Sequence, residues 1–348
     1  MKNKTYTATL YAIGAAALYA LNIPISKILL KTVSPTMMAA LLYLGAGLGI
    51  GLINVARQRK TNSESKLTKK ELPYTICMIL LDIAAPILLM MGLKLSTAEN
   101  ASLLGNFEIV ATSLIAMVFF SEKVSNRLWI AISLVTLSSV ILSLESAASL
   151  KFSTGSLLVL GACICWGLEN NCTRKLSSKS TAQIVTLKGL FSGIGSFAIA
   201  ISLGESLPRI PFIGAALLLG FAAYGLSIFL YIRAQRDIGA AKTSAYYAAA
   251  PFIGVILSFI LFRDEVTLQF FIALAVMIVG TYFVITDTIA LQHTHAHLHA
   301  HSHEHEHDGV MHLHEHTHEH SHLHTHADTS GAEHLHDHTQ TEDHNHQH

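Results

Sequence analysis

Five residues stand where a lipid-facing chain should have none or few of their kind, and each type does chemistry. Asp82 falls midway along an apolar run and Glu108 midway along the next. A carboxylate at the bilayer centre costs at least about 2.5–3.5 kcal/mol on insertion scales, so each needs a partner or a task. Both are expected to line a central cavity, where a carboxylate holds a proton, a cationic group or a metal ion and changes protonation between inward- and outward-facing states. Lys188 lies in the first turns of a later apolar run and offers the alternative, an internal ion pair that ties helices together. Trp166 and Tyr247 bring aromatic faces suited to an organic solute, although packing or interfacial anchoring uses the same residue types. Glu169 stands close to the end of its run, beside Asn170 and Asn171, where solvation would suffice.

A second chemistry occupies the C-terminus. Histidine takes alternate positions through His293, His295, His297, His299, His301, His303, His305 and His307, and again through His312, His314, His316, His318, His320, His322, His324 and His326. In an extended chain alternate side chains project to one side, which makes a row of imidazoles. Imidazole suits Zn, Ni, Co and Cu, and the interleaved acids add hard ligands. The expected ligand for the tail is therefore a divalent transition metal, with no cofactor required elsewhere. The same histidines would charge below their ordinary pKa of about 6.5, the behaviour of a pH sensor.

These groups sit in two unlike segments. All 22 histidines lie in the last 56 residues, with ten of the 23 acids and no lysine or arginine. The tail cannot bury an apolar core and reads as disordered without metal. Over the whole 348 residues 51% are hydrophobic, 13% are charged, and the mean hydropathy is +0.45. Soluble domains carry about 25% charged residues, which excludes an ordinary soluble enzyme, a disulfide scaffold and a nucleic-acid binder. The four cysteines, Cys77, Cys163, Cys165 and Cys172, read as small apolar residues of helices.

Ten stretches are apolar enough, or nearly so, to cross the roughly 30 Å of hydrocarbon as helices: 7–29, 36–56, 72–93, 97–120, 128–144, 155–172, 184–203, 212–232, 240–262 and 267–286. The first is too long for the apolar region of a cleaved signal peptide. Lysine and arginine crowd the start, 57–70, 123–127, 174–179 and 233–236, whereas the alternate loops carry single cations. The positive-inside rule then puts both termini in the cytoplasm. Gly45, Gly47, Gly49 and Gly51, and Gly189 and Gly193, form small-residue stripes that let helices approach closely, within the chain or in a homodimer. Pro24 and Pro251 interrupt helices and are candidate hinges.

The chain also matches itself. An offset of 147 pairs Gly14 with Gly161, Tyr19 with Trp166, Ser26 with Thr173 and Lys27 with Arg174. An offset of 142 pairs Ala98 with Ala240, Ser102 with Ser244, Glu122 with Asp264 and Ser125 with Thr267. Two halves of five spans each must lie upside down to one another, the architecture of alternating-access transporters, with the solute site at the midplane between them.

ALYALNIPISK at 17–27, its partner CWGLENNCTRK at 165–175, the stretch at 231–252, and the acid-bearing turns SEKVS at 121–125 and RDEVT at 263–267 carry a resemblance. The chain resembles the EamA family of the drug/metabolite transporter superfamily from residue 7 to about 287, departing from it with Tyr19 in place of a tryptophan and with the acid at 108. The resemblance implies an all-α membrane protein of ten transmembrane helices, arranged as two inverted five-helix repeats (1–147 and 148–288); the disordered His-rich cytoplasmic tail (289–348), read from its composition, follows them. It implies export or exchange of a small organic solute across the cell membrane, inner or plasma. Two other readings start from the tail: an exporter of a transition metal or metal chelate, and a non-transporting membrane metal sensor. No nucleophile motif, phosphate-binding loop or closed metal site points to an enzyme.

Overall fold

The computed structural model describes residues 2–58, 67–120, 124–146, 149–176, 179–238, 243, 246–307 and 310–325. Glu122, Ala240, Ser244 and His326, named above, lie outside them. The chain divides into a unit of residues 1–290 and a unit of residues 291–348.

In the first unit the helices are α1 (Lys2–Ala20), α2 (Asn22–Leu29), α3 (Pro35–Gln58), α4 (Leu72–Leu95), α5 (Ala98–Leu104), α6 (Phe107–Phe120) and α7 (Asn126–Ser143). There follow α8 (Thr154–Lys175), α9 (Thr181–Ser202), α10 (Ile210–Gly220), α11 (Ser227–Ile238), α12 (Ala250–Phe262) and α13 (Leu268–Leu291). Among the described residues eight helical stretches are long and apolar enough to span a membrane: Tyr6–Leu29, Pro35–Ala56, Lys69–Leu95, Ala98–Phe119, Asn126–Ser143, Thr181–Ser202, Ile210–Ala234 and Leu268–Asp287. The protein is a multi-pass membrane protein. The other two expected positions hold α8, whose last turns are polar and charged, and the shorter α12. A two-stranded turn, β1 (Leu144–Ser146) with β2 (Ser149–Phe152), follows α7; no alternation announced it in the sequence.

The helices are apolar on two sides. Met37, Met38, Leu42, Met90, Leu93, Leu103 and Leu104 are buried in the core, while Leu52, Val118, Phe119, Leu218 and Leu268 point outward. That outward face has hydrocarbon to meet, which is why the chain lacks the charged residues of a soluble surface. Without a hydrophobic force to press helices together in lipid, close backbone contact and side chain to carbonyl bonds do so. Ser138 donates to the Ala273 carbonyl at 2.7 Å and Ser227 to that of Ala15 at 2.9 Å. Gly47 of α3 meets Gly189 of α9, and Gly45 meets the backbone of α10 at Leu217. The glycine stripes are thus spent inside the chain rather than left for a homodimer.

Four spans are interrupted. α1 breaks into α2 at Leu21, α5 into α6 at Gly105 and Asn106, and α10 passes to α11 through a π-helical turn, Phe221–Leu226. Within α4, Pro86 cannot donate to the carbonyl of Asp82, four residues back. Lys27 of α2 closes the far end of α4, donating to the carbonyls of Leu93 at 2.7 Å and Ser96 at 2.5 Å, a favourable place for a cation.

The start of α3 is capped from afar. The chain turns at Gly204, whose φ of 74° suits glycine, and presents Glu205 to the first turn. Its carboxylate accepts from Ser34 Oγ at 2.7 Å and from the Met37 amide at 2.8 Å. Glu205→Ala is expected to cost about 1 kcal/mol, the usual loss of an N-terminal cap. A fall of roughly 2–4 °C in Tm, read by intrinsic fluorescence in detergent, is the corresponding signal; an unchanged Tm would show that the cap adds nothing.

In the second unit, strand β3 (Gln292–His307) pairs antiparallel with β4 (Val310–Thr325). The composition suggested an unstructured segment; its backbone is paired here, and the period-two alternation is the local reason a strand fits. The register sets His293 opposite His324, His295 opposite His322, and so on to His305 opposite His312.

Candidate functional site

α4, α8 and α9 each bring one charged side chain to the same place, and α3 brings a phenol. Asp82 is fully buried in the middle of α4. Lys188 Nζ lies 3.1 Å from Asp82 Oδ2 and 3.0 Å from Glu169 Oε1, so one ammonium bridges two carboxylates from two helices. Tyr43 donates its hydroxyl to Asp82 Oδ1 at 2.8 Å. Trp166 in turn donates its indole N–H to the Tyr43 oxygen at 3.3 Å. The hydroxyl of Thr173 donates to Glu169. Two carboxylates around one ammonium leave a local excess of negative charge, which a buried site cannot carry cheaply.

Glu169 is 2% exposed. The sequence reading had it at the interface and solvated; it is a full member of the ion cluster. Its position near the polar end of α8 hid this, because only the approach of α9 encloses it.

Glu108 occupies a neighbouring position on α6. Asn170, next to Glu169 on α8, donates to Glu108 Oε1 at 2.8 Å and to Thr112 Oγ1 at 3.2 Å. Glu108 therefore joins the cluster through α8 rather than by direct pairing with Lys188.

An aromatic chain runs from this cluster, linking α3 with α1 and α11. Tyr43 lies 5.3 Å from Tyr224, Tyr224 6.0 Å from Tyr19, and Tyr19 5.6 Å from Tyr247, between ring centroids. Tyr231 continues it, 5.0 Å from Tyr247. Asn22 donates to the Tyr224 hydroxyl at 2.8 Å. Trp166 and Tyr247, singled out in the sequence, join this group together with Tyr224, whereas Tyr246 is 40% exposed and does not.

Beside the cluster, Tyr43, Val185, Lys188, Gly189 and Tyr224 leave a crevice of only about 10 Å³. That is room for no more than a water molecule and far below the roughly 300–1,000 Å³ of drug-sized ligand pockets, so this conformation is closed over the ion pair. No group of three or more metal-ligating side chains occurs among the described residues, which do not include the side chains of the tail. Cys77 and Cys172 are free thiols with their sulfurs 3.3 Å apart.

The sequence alone points to Asp82, Glu108, Lys188 and Trp166; it offers Glu169 and Asn170 only as the polar end of a span and gives no sign of Tyr43. For Asp82 a further signal was available: Pro86, one turn on, marks a helix that has given up a backbone bond where the acid stands.

Comparison with known proteins agrees with this picture. A model of the EamA-like transporter family matches residues 7–144 and again 153–286. A protein of Methanothermobacter thermautotrophicus described as an uncharacterized transporter is 27% identical over 289 residues, covering 78% of this chain and 83% of its own. The uncharacterized transporter YyaM of Bacillus subtilis is 25% identical over 207 residues, 56% of this chain and 67% of its own. A crystal structure, titled only as that of a protein, superposes with a TM-score of 0.60 at 18% identity, over 82% of this chain and 97% of that one; that likeness concerns the fold alone. With the family's model matching once in each half of the apolar unit, the chain is a membrane transporter and belongs to the EamA-like transporter family.

Proposed function

We infer that the protein exports a small organic solute from the cell by alternating access, with Asp82 and Glu108 in coupling or solute contact and Lys188, Trp166 and Tyr247 around them. The observation that carries this reading is the Lys188 cluster, set at one end of an aromatic chain. Three acids (Asp82, Glu169 and Glu108) gather near one ammonium. A proton or a cationic group of the solute offsets the excess, and release of one allows binding of the other.

Ten spans in two inverted repeats, with both termini in the cytoplasm, complete the proposal. Its support lies in which helices pack together: α3 on α9, α4 on α8, α1 on α11, and α5 on α12. Numbered as ten spans, these pairs are 2 with 7, 3 with 6, 1 with 8, and 4 with 9. Exchanging each span for the one five places along returns the same set of pairs, as an inverted repeat requires.

The test is proton flux in proteoliposomes carrying a trapped pH dye and challenged with a panel of amino acids, aromatic amines and quaternary ammonium compounds. At least one solute is expected to move protons with the wild-type chain, and Asp82→Asn to lose that response by roughly 100-fold, the scale on which a positioned proton-transfer group acts. No flux with any panel member, or equal flux with the variant, would refute the coupling.

The register of the tail favours a second element, a metal-binding regulatory segment. Histidine faces histidine across seven successive pairs, and an isolated two-stranded hairpin is marginal in water; a shared imidazole-bound ion supplies the missing stability. Purified full-length chain is expected to retain several Zn or Ni ions by elemental mass spectrometry, and a chain ending at Asp287 about none. If expression of the full chain also lowers one cellular metal and Glu108→Gln abolishes that effect, the metal is cargo and the organic-solute reading falls.

A further inference from the structure

Two thiols meet beside the Lys188 cluster without taking part in it. Cys172 Sγ on α8 donates to Cys77 Sγ on α4 at 3.3 Å, and both side chains are half-buried. About 1.3 Å separates that contact from the roughly 2.05 Å of a sulfur–sulfur bond. Cys163 is differently placed: it is buried and donates to the Leu104 carbonyl at 3.6 Å.

The helices that carry the pair hold it in register. α4 and α8 run antiparallel: Gly92 packs on Gly155, Leu88 reaches Gly161, and Cys77 meets Cys172. A Cβ on Gly92 would fall 2.7 Å from the Gly155 carbonyl oxygen, so the two backbones touch at the far end. The near end is closed by both apolar and polar contacts. Met78, Leu176 and Ile184 are buried together, with Leu67 and Ile79 packed against them. Lys179 pairs with Glu71 at 3.4 Å, and the Leu67 amide donates to Gln183 Oε1 at 3.1 Å. Cys77 stands five residues before Asp82 on α4, and Cys172 three after Glu169 on α8. The closed end therefore adjoins the ion cluster.

We propose that Cys77 and Cys172 are an oxidation site: hydrogen peroxide converts them to a disulfide that ties α4 to α8 and locks this end of the bundle shut. One thiol gives up its proton and its sulfur attacks a peroxide oxygen; the O–O bond breaks, a sulfenic acid forms and water leaves. The second sulfur, losing its own proton, attacks the sulfenic sulfur; the S–S bond forms, the S–O bond breaks and a second water leaves. Two thiols are oxidised by two electrons in all, and one peroxide is reduced to two waters. Each sulfur lies about one to two turns inside its helix end and is only half-exposed, which favours a small neutral oxidant over a bulky one.

Cys77 lies in the first of the two stretches that match the family model and Cys172 in the second. The bond therefore joins the two halves that alternating access must part at each end in turn. On the positive-inside reading this end faces the cytoplasm, where thiols are kept reduced, so the bond answers an oxidant rather than standing as a fixed staple. Its effect on transport rests on the transporter reading above; its formation does not.

Purified full chain in detergent is treated with hydrogen peroxide, denatured, labelled with a maleimide and mapped by peptide mass. Of the four thiols that label in the reduced chain, two are expected to be lost and to return with dithiothreitol, with Cys77 and Cys172 found in one cross-linked peptide pair. Tm is expected to rise on oxidation, because a tie between helices already in contact constrains the unfolded chain, and to fall back with dithiothreitol. Cys163→Ser keeps the cross-link and the rise. Cys77→Ser loses both, and Cys172→Ala repeats that loss should the first variant fold poorly. In proteoliposomes, each panel solute that moves protons with the reduced chain is expected to do so at least tenfold more slowly after peroxide, and at an unchanged rate in Cys77→Ser. Failure of peroxide to join Cys77 to Cys172, a Tm that falls on oxidation, or flux unchanged by the bond overturns the proposal. Absence of flux from the reduced chain, with the cross-link and the Tm rise intact, would instead refute the transport reading.

Discussion

Lys188→Met is expected to remove about 3–5 kcal/mol of stability, because it strands two buried carboxylates rather than one. In the native chain the ammonium is shared by Asp82 and Glu169 at 3.1 and 3.0 Å, and Asp82 is wholly shielded from water. Methionine fills much the same volume, so the loss isolates charge from packing. Lys188→Arg keeps the charge and is expected to fall much less, while the double variant Lys188→Met with Asp82→Asn recovers part of the loss by removing one stranded acid. Tm in detergent and the yield of monodisperse protein measure all three. If Lys188→Met unfolds at the wild-type temperature, the pair contributes nothing to the fold. If it unfolds early and the double variant unfolds earlier still, the charge argument is wrong.

The second large effect concerns a glycine. A Cβ on Gly189 would sit 2.4 Å from the Gly47 nitrogen, 2.5 Å from its Cα and 2.9 Å from the Tyr43 carbonyl oxygen. These are backbone atoms and cannot rotate away. Gly189→Val therefore forces α9 off α3, and it does so one residue from Lys188 and beside Tyr43, the hydroxyl donor to Asp82. Overpacking alone costs about 1–3 kcal/mol, and the displaced ion pair adds to it. Loss of most monodisperse protein on size exclusion is expected. Gly214→Ala is the control, since nothing lies within 4 Å of the added Cβ, and it is expected to behave as wild type. Equal behaviour of the two variants would mean that α3 and α9 do not pack as described.

How much of the site could be read in advance depended on the kind of signal. Asp82, Glu108 and Lys188 announce themselves because charge in an apolar run is costly wherever the helix ends up. Tyr43 and Asn170 carry no such mark: a tyrosine or an asparagine in a membrane helix is ordinary until a carboxylate comes within 2.8 Å of it. Glu169 misled for a related reason. Its neighbours Asn170, Asn171 and Arg174 look like the polar end of a span, and only tertiary packing turns that end inward.

The linear order of residues was enough to decide that the chain crosses a membrane repeatedly, that its halves are related and that its histidines form a separate segment. Each of these rests on a property carried by single residues and their spacing: transfer energy into lipid, identity at a fixed offset, and alternation along an extended backbone. Partnership was decided only in three dimensions. Which carboxylate holds Lys188, which glycine stripe is consumed within the chain, and which thiols meet are all relations between segments far apart in sequence, such as Tyr43 with Asp82 and Cys77 with Cys172. In lipid the choice among such partners turns on contacts a few ångströms long, and no pattern within one helix encodes them.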